Sequence, residues 1–164
     1  MEIKHLEHRK DSVSNSKLNK IQVQFTELIE ELNNKNLPDK TVEIINNHIE
    51  ELNSSILSGS GFKRLLIKKQ IQITKLLEKN HKLVPKNYYR NLWMILGMSA
   101  IGLPIGVAFG VAFGVSIGNM GLLAIGLSIG LPIGMVIGLA IGSDMDKKAS
   151  KEGRQLNIEL KNGI

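Results

Sequence analysis

The chain of 164 residues contains no cysteine, which excludes disulfides and thiolate chemistry. From Asn91 to Ser143 it contains no Asp, Glu, Lys, Arg or His. Its opening, Met1 to Ser16 (MEIKHLEHRKDSVSNS), lacks the apolar h-region of a signal peptide, so the N-terminal region is expected to stay in the cytoplasm. Enzyme signals are missing as well: no nucleophile–base pair stands in a supporting motif. His5 and His8 lie three apart, as a metal on one helical face would need, but no third ligand is near. His48 and His81 are isolated and read as surface residues. Gly59-Ser60-Gly61 lacks the GxxxxGK[ST] spacing of a phosphate loop, and Lys63 is misplaced for one. No catalytic, cofactor-binding or metal-binding residue is therefore expected.

The uncharged run has an order of its own. Large apolar and small residues alternate almost strictly, and glycine recurs every fourth residue at Gly102, Gly106, Gly110, Gly114 and Gly118, then at Gly126, Gly130, Gly134, Gly138 and Gly142. A bilayer-spanning helix takes roughly 20 apolar residues, so the run is too long for one crossing and suits two. Asn119-Met120-Gly121 is turn chemistry near its middle. Two spans follow, about 93–118 and 122–142. Ile129 to Gly134 repeats the pattern of Ile101 to Gly106 at an offset of 28 residues, which points to an internal duplication. A period of two is also the strand signature. Membrane strands, however, are about ten residues long with polar inward positions, and Pro104 and Pro132 would each remove a ladder hydrogen bond. The spans are predicted to be helices.

In a helix, residues two apart sit on opposite sides, because a turn takes 3.6 residues. The glycines line one face. Ala108, Ala112 and Ser116 line the opposite face of the first span, and Ala124, Ser128 and Ala140 that of the second. Small-xxx-small stripes let backbones approach closely in lipid. That gain must offset about 1 kcal/mol lost by each mid-helix glycine against alanine. One face is expected to serve the hairpin partner and the other a neighbouring molecule, giving a homo-oligomer. The stretch resembles the glycine-zipper membrane proteins, bacterial transmembrane hairpins with glycine at every fourth position. The match rests on Gly102 to Gly118 and Gly126 to Gly142. The resemblance implies a packing mode rather than one activity, since such proteins include anchors and pore formers.

Ahead of the spans the chain reads as soluble amphipathic helices. After a flexible arm, residues 1–16, Leu18, Ile21, Phe25, Leu28 and Leu32 follow a three-four rhythm, and so do Val42, Ile45, Ile49, Leu52 and Ile56. Pro38 and Asp39 suit the first turn of the second helix. The two read as an antiparallel hairpin. Residues 54–61 form a joint, and a third helix is predicted from Phe62 to Lys82, within a cytoplasmic helical domain spanning residues 17–84.

Between Lys63 and Arg90 nine basic residues face one acid, Glu78; between Glu27 and Glu51 seven acids face two lysines. Opposite charges can hold the helices together, or the basic helix can lie on anionic lipid headgroups through Lys63, Arg64, Lys68 and Lys69. Nucleic acid is not expected, because the segment offers no aromatic stacking residues.

Tyr88, Tyr89 and Trp93 cluster where the first span begins, an interfacial preference. Lys86 and Arg90 precede that span, and Lys147 and Lys148 follow the second; the turn carries no charge. Both termini are thus expected in the cytoplasm. Abundant Ile, Lys and Asn suggest an AT-rich bacterium, and the expected location is its inner membrane. Residues 144–164 read as a polar tail. The predicted fold is all-α, a glycine-zipper transmembrane hairpin (residues 85–143) with an N-terminal helical region. Two functions fit: an oligomeric membrane scaffold that displays a cytoplasmic interaction domain, or a pore gated by that domain.

Overall fold

The predicted seam of the first helix is a core stripe: Leu18, Ile21, Phe25, Leu28 and Leu32 are all buried. The computed structural model describes residues 2–7, 16–119 and 121–161, and they form two units. The first, residues 1–86 with 154–164, is interrupted by the second, residues 87–153.

In the first unit α1 (Ser16–Asn33) and α2 (Asp39–Asn53) both lie against α3 (Gly59–His81). Of the two arrangements expected, a hairpin or a three-helix cluster, the unit is the three-helix one, with α3 as the shared partner. Val42, Ile45, Ile49 and Leu52 are buried as their spacing requires. Ile56 is not, because α2 stops at Asn53 and Ile56 stands in the following loop. Phe62, Leu66, Ile73 and Leu77 of α3 complete this core. Lys82 closes α3 in the left-handed conformation (φ 58°) and donates its N–H to the Glu78 carbonyl at 3.1 Å.

The fold is not purely helical. β1 (Val84–Lys86) pairs in parallel with β2 (Gln155–Glu159). The expected polar tail is thus part of the core. Gln155-Leu156-Asn157-Ile158-Glu159-Leu160 alternates, and its Leu156, Ile158 and Leu160 are buried. The register slips between Val84 and Lys86, around Pro85, which has no N–H to give the ladder. Arg154 donates to the Lys82 carbonyl at 3.0 Å, fixing the start of β2 to the end of α3.

Of the predicted flexible arm, residues 1 and 8–15 lie outside the described residues, but residues 2–7 are held against the helices by hydrogen bonds. Ile3 is buried, and two asparagines of α2 hold the segment. Asn46 accepts from Lys4 N–H (2.7 Å) and donates to the Glu2 carbonyl (3.1 Å). Asn53 accepts from Glu7 N–H (3.0 Å) and donates to the His5 carbonyl (3.2 Å). Each side-chain amide serves as one rung of a strand ladder. The spacing matches: seven helical residues rise about 10.5 Å, and three extended residues span about 10 Å. Asn46→Ala leaves the Lys4 N–H and Glu2 carbonyl without these partners. It should cost about 1–3 kcal/mol and speed proteolysis within the first seven residues; protease resistance equal to the wild type would contradict this role.

Candidate functional site

The second unit is a helical hairpin. Its first leg comprises α4 (Tyr88–Leu96), a π-helical turn (Gly97–Gly102) and α5 (Leu103–Ile117); its second leg is α6 (Leu122–Lys151). Each leg is 30 residues long and contains an 18-residue stretch apolar enough to cross a membrane, of mean hydropathy 2.0 and 2.3. The legs meet along glycine. A methyl group on Gly102 would lie 2.8 Å from the Gly130 carbonyl oxygen, on Gly106 2.9 Å from Leu127 Cα, and on Gly110 2.7 Å from Leu123 Cα. From the other side, methyls on Gly126, Gly130, Gly134, Gly138 and Gly142 would strike the backbones of Gly106, Gly102, Gly97, Trp93 and Tyr89. The contact is backbone against backbone in antiparallel register, and the two copies of the internal repeat cross where Gly102 meets Gly130.

Not every predicted packing glycine does this. Gly114 is buried, but Gly118 is exposed and takes φ 70°. It ends α5 in the left-handed cap that glycine adopts without strain. Asn119 then donates its N–H to the Gly114 carbonyl at 2.9 Å and accepts from Gly121 N–H at 2.9 Å, which makes the expected tight turn. Conversely Gly97, outside the four-residue frame, is buried in the seam. The seam positions of the first leg are Tyr89, Trp93 and Gly97, then Gly102, Gly106 and Gly110: steps of four with a single step of five. The π turn sits at that step, with Leu103 N–H bonded to the Met98 carbonyl five residues back. Pro104 follows it and supplies no N–H to the turn before. Pro132, its counterpart in the repeat, lies in unbroken α6. Proline alone therefore does not make the π turn; the five-residue step distinguishes the two legs.

One more position continues the frame. Four residues beyond Gly142 is Asp146, buried near the open end of the hairpin. Its carboxylate accepts from Tyr89 N–H (3.0 Å) and Arg90 N–H (2.9 Å). It caps the first turn of α4, where unpaired N–H groups and the positive end of the helix dipole favour an anion. Asn87, the residue before α4, makes no side-chain cap bond. Nothing local in the sequence marks Asp146, since its partners are 56 and 57 residues away; extending the four-residue frame past the last glycine would have reached it.

The predicted interfacial set is divided. Tyr88 and Tyr89 are buried, edge to face at 5.3 Å, rather than presenting their rings outward. Trp93 is half-buried, whereas Arg90, Lys147 and Lys148 are exposed. Lys86, in the first unit, is exposed and donates to Asn157 Oδ1 at 2.7 Å. Outside the seam the legs expose their bulk: Val115 is 69% exposed, Val136 65% and Phe113 55%. The serine hydroxyls turn back on their own helices, Ser99 to the Ile95 carbonyl (2.9 Å), Ser116 to Ala112 (2.8 Å) and Ser128 to Ile125 (2.8 Å).

In the first unit, Lys63 is half-exposed, and Arg64 and Lys68 are exposed. Lys69 is buried, which removes it from the predicted headgroup set. Its ammonium donates to Glu51 Oε2 and to His48 Nδ1, the latter at 3.2 Å, so α2 and α3 are tied by a polar cluster that sequence reading missed. His48 is thus not an isolated surface residue. His81 is likewise engaged, 2.8 Å from the Thr41 hydroxyl. Burial, then the Lys69 charge, pushes the His48 pKa below its ordinary 6.5. The Lys69 hydrogen bond holds the Glu51 carboxyl below the usual range. Among the described residues no group of three or more His, Asp or Glu side chains could hold a metal; His8 lies outside them.

Two outcomes follow from these contacts. Gly130→Ala puts a methyl into the Gly102 and Gly106 backbones and should cost about 1–3 kcal/mol, lowering the thermal midpoint in detergent, whereas Val136→Leu at an exposed position should leave it unchanged; equal effects would remove the seam. His48 contributes its share of stability above pH 6.5, because the unfolded chain takes up a proton below that value more readily than the folded one. The midpoint should therefore fall as the pH drops below 6.5, and His48→Gln should make that fall shallower; an unaltered slope would contradict the assignment. No protein family, curated protein or solved structure matches this chain.

Proposed function

We propose that this protein is an integral membrane module in which the hairpin anchors the helical unit to a bilayer and that unit serves as an interaction domain. The observation that carries the reading is the inverted packing of the hairpin, with glycine backbone inside and large aliphatic and aromatic side chains outside. So large an exposed apolar surface is untenable in water, and in lipid close backbone contact replaces the missing hydrophobic drive. The uncharged part of α6, Leu122 to Gly142, is about 31 Å long at 1.5 Å per residue, against a hydrocarbon core of about 30 Å.

The insertion of the hairpin between Lys86 and Arg154 supports both termini lying on one side. Lys and Arg at the open end, and no charge at the turn, favour the cytoplasmic side of a bacterial inner membrane. Self-association in this reading uses the outer small-residue stripes, Ala108, Ala112 and Ser116 with Ala124, Ser128 and Ala140, because the glycines meet within one chain. The pore reading finds less support, since the seam leaves no lumen between the legs and the serines satisfy themselves.

Because the chain has no cysteine, single-cysteine variants report topology without background. Asn119→Cys should react with an impermeant maleimide from the periplasmic face, and Lys161→Cys only in inverted vesicles. Labelling of both from one face would overturn the hairpin topology. Liposomes carrying the protein should retain a trapped dye; release of the dye would favour the pore.

A further inference from the structure

α3 turns a row of cations outward, next to an exposed aliphatic loop. Arg64, Lys68, Lys75 and Lys79 are all exposed. At 100° per residue they fall within about 60° of one another around the helix, so they form one stripe about 22 Å long at 1.5 Å per residue. Among the described residues none of the four is held in an ion pair, unlike Lys69 and Lys82, which meet Glu51 and Glu78. Glu78, the only acid of α3, lies at the edge of the stripe and is engaged by Lys82 at 3.8 Å. The exposed acids Glu27, Glu30, Glu43 and Glu50 lie on α1 and α2, so the unit is electrically polarised.

At the N-terminal end of the stripe, the α2–α3 loop (Ser54-Ser55-Ile56-Leu57-Ser58) raises Ile56, which is 99% exposed, beside the 46% exposed Leu57. An aliphatic tip next to unpaired cations matches a surface that is anionic above and apolar below. The only aromatic ring of α3, Phe62, is buried, which leaves nothing for bases to stack on.

We propose that this stripe and loop tip dock on an anionic phospholipid surface: Arg64, Lys68, Lys75 and Lys79 pair with headgroup phosphates and Ile56 sinks among the acyl-chain ends. The inference rests on the bilayer reading and deepens it by assigning a lipid class to the soluble unit. The occupant is a lipid surface because the charge complementarity extends the length of α3 and the apolar tip is only Ile56 and Leu57, too small for a protein–protein core.

The test uses the full chain in liposomes. Ser58→Cys carries an environment-sensitive dye, the only thiol in the protein. In phosphatidylcholine vesicles containing about 30% phosphatidylglycerol the dye should shift to the blue and be quenched by brominated acyl chains, and in pure phosphatidylcholine it should not. Each of Arg64→Gln, Lys68→Gln, Lys75→Gln and Lys79→Gln should lower the docked-to-free ratio about fivefold. Ile56→Asp should abolish quenching in the otherwise native background. A dye exposed to water in both lipids, or a blue shift that survives the fourfold Gln variant, would overturn the proposal. So would a shift lost when the protein is diluted with lipid, which would indicate a second copy, or one reproduced by an oligonucleotide without anionic lipid. Carbonate extraction of the same samples reports hairpin insertion separately, so loss of docking with the protein still membrane-bound condemns the docking surface alone.

Discussion

Two helices surrounded by hydrocarbon gain nothing from hiding leucine from water, so their association depends on how closely their backbones can approach. In this hairpin every seam position of the second leg from Gly126 to Gly142 is a glycine, and a methyl on any of these would strike the facing backbone. The rest of the unit follows from keeping that contact continuous. Where the first leg departs from the four-residue frame, a π turn takes up the extra residue and keeps Gly97 facing Gly134 and Gly138. Where the frame outlasts the glycines, Asp146 takes the next place, and its carboxylate meets the first N–H groups of the other leg.

The first unit obeys the opposite rule. Among the described residues most of its leucines and isoleucines and both phenylalanines are inside, Ile44, Ile56 and Leu57 being the exceptions, and Lys69 is the one buried cation, with Glu51 and His48 as partners. A parallel strand pair cannot be closed by a tight turn and needs a crossover of a dozen or more residues. Between β1 and β2 that crossover is the whole hairpin. The small sheet lies within the first unit, where Val84 is buried and Leu156 and Ile158 belong to the core.

The legible parts of the sequence were those with a local period. The three-four rhythm of Leu18 to Leu32 and the four-residue rhythm of the glycines each name a face without any knowledge of its partner. What escaped depended on distant partners. Ile3 is apolar in a charged segment, and its partners are distant: Asn33 accepts its N–H at 3.1 Å, and Asn46 and Asn53 hold its neighbours. Asn46 and Asn53, weak helix formers two turns apart within α2, were a faint signal. Lys69 looked like its exposed neighbour Lys68, because a one-residue step around a helix separates core from surface and charge alone does not say which is which. β2 did carry the strand alternation in Leu156, Ile158 and Leu160, masked by its place after a polar helix end. The stripe of α3 was visible as charge, but its membership changed once Lys69 proved internal.

The contrast between the units also explains why composition averages out: hydropathy near zero for the whole chain combines a unit with its apolar side chains largely buried and a hairpin with its apolar side chains exposed. The two parts place the same side chains on opposite sides. Leucine and isoleucine face inward where water is the solvent and outward where lipid is the expected solvent; glycine, a poor residue for a helix in water, is what the inside of the hairpin is made of. A mutation therefore has no fixed meaning across this chain. Gly to Ala favours a helix exposed to water and opposes the seam, whereas an aliphatic side chain is at home on the exposed ridges of α6, as at Ile129 and Val136, and out of place on the basic face of α3. The sign of each effect is set by which solvent the residue meets, and that is decided by the uncharged run between Asn91 and Ser143.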